Sequence, residues 1–292
     1  MILITSGNSR SARHLVGALR GSGRKVRLLD ISPATEELRG QGVEEVIVGD
    51  MDDPAVVAAA VDGVEAVVHI GPPMHPRETA MGQAVVAAAE RAGVERFVLY
   101  SVIHPQLSAL VNHQAKLPVE DRLLTARLRP TILRPQHYMQ NIVPSHCLET
   151  GAVPLPYSAE RRLGFVDMED VAAVATKVLL EEGHDFATYD LCGNDHLSTS
   201  EIAELIGRIG GRPLKPVEWT VQDFFEQVIG TADLPDYTVD GFHRLFLHYD
   251  RHGIAGNPNV LGWLLGRAPT SFEDYVRREL SSNTEGGTDD ST

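Results

Sequence analysis

The chain has 292 residues, 43% of them hydrophobic, which is enough to bury a core in one large domain with a smaller appendage. Its formal net charge of −14 at pH 7, without any Lys/Arg-rich run, disfavours direct binding to nucleic acid. Cys147 and Cys192 lack metal-ligand or CxxC spacing, so we expect a reduced protein without a metal site. Neither a signal peptide nor an apolar run of the roughly 20 residues needed to cross a bilayer is found, so we expect a cytoplasmic protein without a membrane anchor.

Short apolar runs alternate with helical patterns through the first hundred residues. The runs predict strands at 2–4, 25–29, 45–48, 66–70 and 96–100, and the intervening patterns predict helices at 12–21, 34–40, 54–61 and 79–92. Short apolar strands separated by helices are typical of a parallel sheet that is covered on both faces. The order therefore predicts an α/β protein with a doubly wound parallel sheet.

The pattern becomes less regular in the second half of the chain. It predicts a helix at 116–125, a strand at 131–135, a Gly- and Pro-rich crossing at 151–157, a strand-to-helix element at 165–180 and a helix at 200–209. We expect a nucleotide-binding domain at 1–150, with 164–182 packing back on it, and a smaller α/β cap at 151–163 and 183–280. Residues 281–292 are polar and acidic, which predicts a disordered tail.

The segment from Ile2 to Val16 combines a strand, a tight turn and the start of a helix. In this layout backbone N–H groups and a helix N-terminus receive a phosphate. Gly7, Asn8, Ser9 and Arg10 are the candidate residues of this loop.

Two longer motifs carry a family resemblance. Residues 131–141, Thr-Ile-Leu-Arg-Pro-Gln-His-Tyr-Met-Gln-Asn, are similar to the TILRPxxFMxN run of NmrA-like proteins, and residues 164–172 are similar to their FVDxxDVA element. The chain thus resembles, over nearly its whole length, the NmrA-like branch of the atypical short-chain dehydrogenases/reductases. The resemblance implies a Rossmann-type NAD(P)-binding domain with a small-molecule substrate under the cap. It leaves the oligomeric state open.

The glycine-rich loop of that family is degenerate here. Its TGxxGxxG glycines fall at Ser6, Ser9 and Ala12, with Gly7 as a displaced glycine. Alanine is accepted at the third position, whereas Ser9 adds a side chain where the dinucleotide should pass. The Ser9 hydroxyl and Arg10 could instead donate to a phosphate, so both retained and lost cofactor binding stay open.

The resemblance also assigns the remaining cofactor contacts. Asp30, followed by Ile31 where NADP-dependent relatives usually carry Arg, favours NAD(H) slightly over NADP(H), although Asp30 could be only a strand-end turn residue. Asp50 and Met51 would border the adenine, while Asp53 would cap the next helix. The other expected contacts are Ile70, Gly71, Pro72, Ser101, Lys116 and Pro135.

The catalytic region corresponds to the Ser…YxxxK stretch of the dehydrogenases. Lys116 occupies the lysine position, but Asn112 stands where the tyrosine would be, so no phenol there can protonate a carbonyl. Lys116 can hold the nicotinamide ribose or move a proton, and His104 and His113 are candidate acids or bases.

The residues after Pro135 are the substrate candidates, namely His137, Tyr138 and Asn141. Tyr138 and the following Met139 could equally well only pack under the cap.

Three functions remain open from the sequence. The leading one is an NAD(P)-dependent oxidoreductase acting on a small, cyclic or conjugated organic molecule. The missing tyrosine is also consistent with a non-catalytic NAD(P)H redox sensor. The altered loop favours a third, a cofactor-independent cyclase, isomerase or lyase on the same fold.

Overall fold

The computed structural model describes residues 1–230 and 234–285. The strands in these ranges are β1 (Ile2–Thr5), β2 (Val26–Asp30), β3 (Glu45–Val48), β4 (Ala66–Ile70), β5 (Arg96–Tyr100), β6 (Arg129–Pro135), β7 (His137–Tyr138), β8 (Ala152–Leu155), β9 (Leu163–Val166), β10 (Ala187–Leu191), β11 (His196–Leu197) and β12 (Lys215–Glu218). The α-helices are α1 (Arg10–Leu19), α2 (Pro54–Val61), α3 (Glu78–Ala92), α4 (Val111–Gln114), α5 (Leu117–Leu124), α6 (Pro144–Thr150), α7 (Met168–Leu180), α8 (Thr199–Gly210), α9 (Val221–Phe224), α10 (Asp236–His252), α11 (Asn259–Leu265) and α12 (Phe272–Glu285). Short 3-10 helices lie at Pro33–Leu38 and Met139–Asn141, and a π-helical turn lies at Phe225–Ile229.

The chain divides into two compact units. The first unit consists of Met1–Pro135 and Met168–Leu191, and the second of Gln136–Asp167 and Cys192–Thr292. The chain therefore leaves the first unit after β6, returns for α7 and β10, and leaves again.

The first unit is built on a seven-stranded parallel sheet. Its strand order is β10-β6-β5-β4-β1-β2-β3, and every neighbouring pair is parallel. Helices α2, α3 and α5 cover one face over a cluster that includes Val67, Phe97 and Ile132. Helices α1 and α7 pack together, and alternate strand residues such as Ile4 and Val68 are buried as well. The predicted doubly wound α/β sheet is confirmed.

The second unit contains two small sheets and most of the later helices. The order β11-β9-β7 forms one sheet, in which β7 and β9 run parallel and β11 antiparallel, and β8 pairs with β12 in the other. Helices α6, α8 and α12 pack against one another. Ser198 and Glu201 form a capping box that begins α8, in agreement with the helix predicted at 200–209.

Several predicted boundaries differ from the observed ones. The second unit already begins at Gln136, and β10 belongs to the large sheet because it pairs with β6, so the divisions fall at 135/136, 167/168 and 191/192. The crossing predicted at 151–157 contains strand β8, and the helix predicted at 34–40 is a 3-10 helix. The predicted tail began too early, because α12 continues to Glu285; residues 286–292 lie outside the described residues.

Candidate active site

The strand order of the first unit places a switch point between β1 and β4. From β1 the chain proceeds outward to β2, whereas β4 is followed by β5 on its other side. Ligands of such sheets bind in the crevice at the carboxyl ends of the strands on either side of this point. The Ser6 hydroxyl donates to the Ile70 carbonyl at 2.8 Å and ties the two strand ends together. Of the predicted residues, Ile70 ends β4, and Gly7, Gly71 and Pro72 follow the two strand ends.

The loop after β1 keeps its turn although its glycine is displaced. Ser6 adopts the left-handed backbone conformation, with φ of 49°, that glycine would supply at the first position of the family pattern. A Cβ on Gly7 would lie 2.7 Å from the Leu28 Cβ, so glycine is required at position 7 for the loop to pack against β2. The displaced glycine therefore has a packing role of its own.

Ser9 caps helix α1. Its hydroxyl oxygen accepts from the Ala12 N–H at 3.2 Å, and its backbone is extended. The accepting oxygen still carries its own proton, which remains a possible donor to a phosphate. Ser9 thus has a structural role that does not exclude the predicted cofactor contact.

The first turn of α1 carries basic rather than acidic side chains. No acidic residue lies in its first turn, Arg10 is exposed there, and Arg13 donates to the Asn8 side-chain oxygen at 2.5 Å. Helix N-termini normally favour acidic side chains because the helix dipole is positive at that end. Two arginines at such an end are suited to a bound anion.

The carboxylate of Asp30 is fixed by the backbone. Its two oxygens accept from the N–H groups of Asn8 and Ser32, each at 2.8 Å, and the neighbouring Ile31 is 69% exposed. Asp30 is therefore held beside the loop in a single orientation.

The two acids at the end of β3 have different roles. Asp53 caps α2 through the Ala55 N–H, as predicted. Asp50 is exposed and accepts from the Asp52 N–H at 2.8 Å, and Met51 is buried beside it.

Lys116 lies in a buried ion pair that the sequence analysis did not identify. Its ammonium is 2.5 Å from Glu78 Oε1, and the Glu78 side chain is 2% exposed. Glu78 is the first residue of α3, and the neighbouring Thr79 hydroxyl donates to the Ala115 carbonyl, which holds the start of α3 against the lysine segment. Glu78 Oε2 is buried and accepts no hydrogen bond within the described ranges.

Gly71 brings the backbone close to this pair. A Cβ at this position would lie 3.3 Å from both Glu78 Oε1 and Lys116 Nζ. The Lys116–Glu78 pair is therefore at the carboxyl end of β4, on the switch-point side of the sheet.

His69, the penultimate residue of β4, is fully buried beside the pair. Burial lowers the pKa of His69 to about 3, and the positive charge of Lys116 adds to the shift. Its Nδ1 is 3.0 Å from the Thr5 hydroxyl. His69 is therefore neutral at physiological pH and helps to join β4 to β1.

Ser101 belongs to a second buried network. Its hydroxyl donates to Glu120 Oε1 at 2.5 Å, and Arg134 donates to both carboxylate oxygens of Glu120, at 3.0 and 2.5 Å. The network joins β5, α5 and β6. Its geometry gives Ser101 a structural partner in addition to its predicted cofactor contact.

The two candidate histidines occupy different environments. His113 is buried, and its Nδ1 contacts the His104 carbonyl at 3.2 Å, which favours a structural role. His104 follows β5 with a left-handed backbone, φ 50°, and is half-buried. Asn112, at the tyrosine position of the dehydrogenases, has a buried side-chain oxygen without a partner in the described part of the chain.

The substrate candidates lie in the second unit, directly after Pro135. His137 and Tyr138 form β7 and are half-buried, whereas Met139 is fully buried. Asn141 is exposed, and its amide nitrogen is 3.3 Å from His137 Nε2. His137 also contacts Phe165 and Tyr249 edge-on, with ring centroids 5.3 and 5.7 Å apart.

Some important polar residues were not found by pattern. Glu78 and Glu120 sit in helices whose sequences suggest only ordinary amphipathic surfaces, and their partners are 38 and 14 residues away. Acidic residues at apolar helix positions are the only signal that could have marked them.

In the described ranges, no helix is long and apolar enough to cross a membrane, and no group of three or more His, Cys, Asp or Glu residues could hold a metal ion.

Comparison with known proteins identifies relatives over nearly the full length. The model of the NmrA-like family matches residues 1–277. An NAD(P)H azoreductase from Xenophilus azovorans is 26% identical over 97% of this chain and 99% of the relative. Quinone oxidoreductase 2 of Escherichia coli is 24% identical over 97% of this chain and 100% of the relative.

A solved structure supports the same fold. The crystal structure of NmrA, a negative transcriptional regulator, in complex with NADP superposes with a TM-score of 0.76 at 16% identity, covering 99% of this chain and 98% of that chain. At this identity the likeness concerns the fold alone.

Proposed function

The chain belongs to the NmrA-like family, and on this basis we propose that it is an NAD(P)H-dependent oxidoreductase that reduces a small, conjugated organic molecule. The azoreductase and the quinone oxidoreductase among its relatives support a conjugated electron acceptor of this kind. The observation that carries the proposal is the start of α1, where Arg10 and Arg13 flank a helix N-terminus whose first turn has no acidic residue.

The residues at the strand ends fit a dinucleotide. Ser9 and Arg10 would hold the phosphates, and Asp30 would accept from the adenine ribose. Asp50 and Met51 would border the adenine. Because Asp30 presents a fixed negative charge beside an exposed Ile31, we propose a slight preference for NAD(H) over NADP(H).

The chemistry would combine hydride transfer with proton delivery. A bound nicotinamide supplies the hydride. Lys116 would hold the nicotinamide ribose and deliver a proton to the reduced molecule, and Glu78 would keep its ammonium beside Gly71. His104 is a second candidate proton donor, whereas His113, buried against the His104 carbonyl, would support its position.

Titration calorimetry of nucleotide-stripped protein with NADH and NADPH tests the proposal. We expect micromolar binding of NADH and weaker binding of NADPH. Asp30→Asn retains an oxygen acceptor for the loop but removes the charge, so we expect the affinities for NADH and NADPH to come within about twofold of each other. Asp62→Asn, at the far end of α2, is the matched control and should leave the preference unchanged. Absence of binding up to millimolar nucleotide would refute the proposal in favour of cofactor-independent chemistry.

A second candidate function is a redox sensor, which the observed Asn112 at the tyrosine position favours. Saturable binding of the dinucleotide without oxidation of NADH by any quinone or azo compound would identify the sensor. Turnover with such a compound would identify the oxidoreductase.

A further inference from the structure

The second unit contains a continuous row of aromatic rings. Tyr157 contacts Tyr249 at a centroid distance of 6.1 Å, Tyr249 contacts His137 at 5.7 Å, and His137 contacts Phe165 at 5.3 Å, with interplanar angles of 78° to 80°. Such edge-to-face contacts offer apolar ring surface and leave polar atoms at the ring edges. The row connects the predicted substrate residue His137 to Tyr157, which sequence patterns did not select.

The hydroxyl of Tyr157 is buried and makes no hydrogen bond to any residue in the described part of the chain. A buried hydroxyl without a partner destabilises a fold, because it has lost its hydrogen bonds to water. Burial and the neighbouring Tyr249 raise the pKa of Tyr157, so the phenol keeps its proton and is a hydrogen-bond donor. Among the described residues of its unit, the donor has no acceptor.

The backbone next to Tyr157 is held in place. The Ser158 N–H donates to Asp250 Oδ1 at 2.8 Å, and Arg161 donates to the Asp250 carbonyl at 2.7 Å, which fastens the segment after β8 to the last turn of α10. Tyr249 lies in the same turn. The phenol of Tyr157 is therefore a preorganised donor rather than a side chain free to turn to solvent.

The other end of the row is polar and more accessible. His137 is half-buried, and Asn141, whose amide contacts the His137 ring, is exposed. Apolar ring surface between a buried phenol and a polar edge is complementary to a planar, conjugated molecule that carries a hydrogen-bond acceptor.

We propose that the second unit binds a planar, conjugated molecule against the Tyr249 and His137 rings, and that Tyr157 donates a hydrogen bond to its carbonyl oxygen or azo nitrogen. Because Tyr157 and Tyr249 are both buried, a hydrogen bond from the Tyr157 hydroxyl to the ligand requires the Tyr249 ring to shift from its contact with Tyr157. That this ligand is also the electron acceptor rests on the proposed function. Tyr157 then favours ligands that carry a hydrogen-bond acceptor at this position over ligands that carry none.

The test compares two ligands with the same bicyclic carbon skeleton, naphthoquinone with its carbonyl acceptors and naphthalene without them, by equilibrium dialysis against the full chain. Tyr157→Phe removes only the hydroxyl, so we expect it to weaken naphthoquinone binding by about 3- to 10-fold and to leave naphthalene binding unchanged. The matched control is Tyr189→Phe, whose hydroxyl contacts His184 in the first unit, and it should change neither affinity. A thermal melt verifies that Tyr157→Phe is folded.

Three results would overturn the inference: no binding of naphthoquinone to the wild type, equal weakening of both ligands, or no effect of Tyr157→Phe. Oxidation of NADH by naphthoquinone, measured separately, distinguishes the two proposals. Wild-type turnover with a KM that is insensitive to Tyr157→Phe would refute this inference and retain the proposed function. Naphthoquinone binding that depends on Tyr157, without oxidation of NADH, would retain this inference and refute the proposed function.

Discussion

Two buried carboxylates of the first unit, Glu120 and Glu78, each face a basic side chain at 2.5 Å, yet they differ in how completely they are bonded. Glu120 accepts from Arg134 with both oxygens and also from Ser101. Glu78 forms an ion pair with Lys116 through Oε1, and among the described residues neither of its carboxylate oxygens accepts a hydrogen bond. The fully hydrogen-bonded Glu120 joins two strands and a helix, whereas a carboxylate with unbonded oxygens beside a glycine can still interact with a ligand. Burial of a charged pair therefore does not by itself distinguish scaffold from site.

The largest expected effect concerns the saturated pair. Glu120→Gln removes the nearer counterion of Arg134 and leaves it only Asp190, 4.0 Å away, so it should lower the free energy of unfolding by about 3 kcal/mol. Urea denaturation measures the change. Glu182→Gln, which removes a 78% exposed partner of Arg96 and Arg129, should cost less than about 1 kcal/mol. Equal effects of the two variants would show that the buried Glu120–Arg134 pair contributes no more to stability than an exposed pair.

Substitutions in the Lys116–Glu78 pair should change stability and activity separately. Lys116→Met leaves a buried carboxylate and removes the proposed proton donor, so we expect lower stability and a fall in kcat/KM of about 100-fold. The double variant Lys116→Met with Glu78→Gln should recover most of the stability but none of the activity. Lys177→Met, in a surface pair with Glu181, is the control. Recovered activity in the double variant would mean that this pair is as purely structural as Glu120 and Arg134.

The smallest expected effect is the pH dependence of stability that comes from His69, whose pKa is lowered by burial and by the charge of Lys116. The unfolded chain takes up a proton on this histidine near its ordinary pKa of 6.5, whereas the folded chain does so only at about 3. Lowering the pH from 6.5 to about 5.5 therefore favours unfolding, by about 1 kcal/mol from this group. The measurement is the pH dependence of unfolding in wild type minus that in His69→Gln, with exposed His146→Gln as control. Identical pH dependence in wild type and His69→Gln would contradict the assignment.

The fold could be predicted from sequence because its signals are local. Strands buried on both faces are apolar runs, and the caps at Asp53 and Ser198 precede their helices directly. Strand β10 was missed because it is an edge strand of mixed composition, Ala-Thr-Tyr-Asp-Leu, whose place depends on pairing with β6. A sheet edge is defined by a distant partner, which periodicity does not reveal.

The site was only partly predictable for the same reason. Lys116 and Asp30 follow recognisable motifs, but the pairing of Lys116 with Glu78 and the row from Tyr157 to His137 arise from contacts between distant segments. The altered loop was the opposite case. Its missing glycines left both retained and lost cofactor binding open, whereas the structure shows that Ser6 supplies the left-handed turn and Ser9 caps the helix.

The return of the chain to the large sheet has a consequence for how the protein assembles. Strand β10 pairs with β6 across more than fifty intervening residues that belong mostly to the second unit. During synthesis, the first unit cannot complete its sheet until residue 191 has emerged, and the long loop slows closure of this last edge. Truncation after residue 135 would release a six-stranded sheet with an uncovered edge and without α7. A minimal nucleotide-binding fragment must therefore retain 168–191 through a short engineered linker after Pro135.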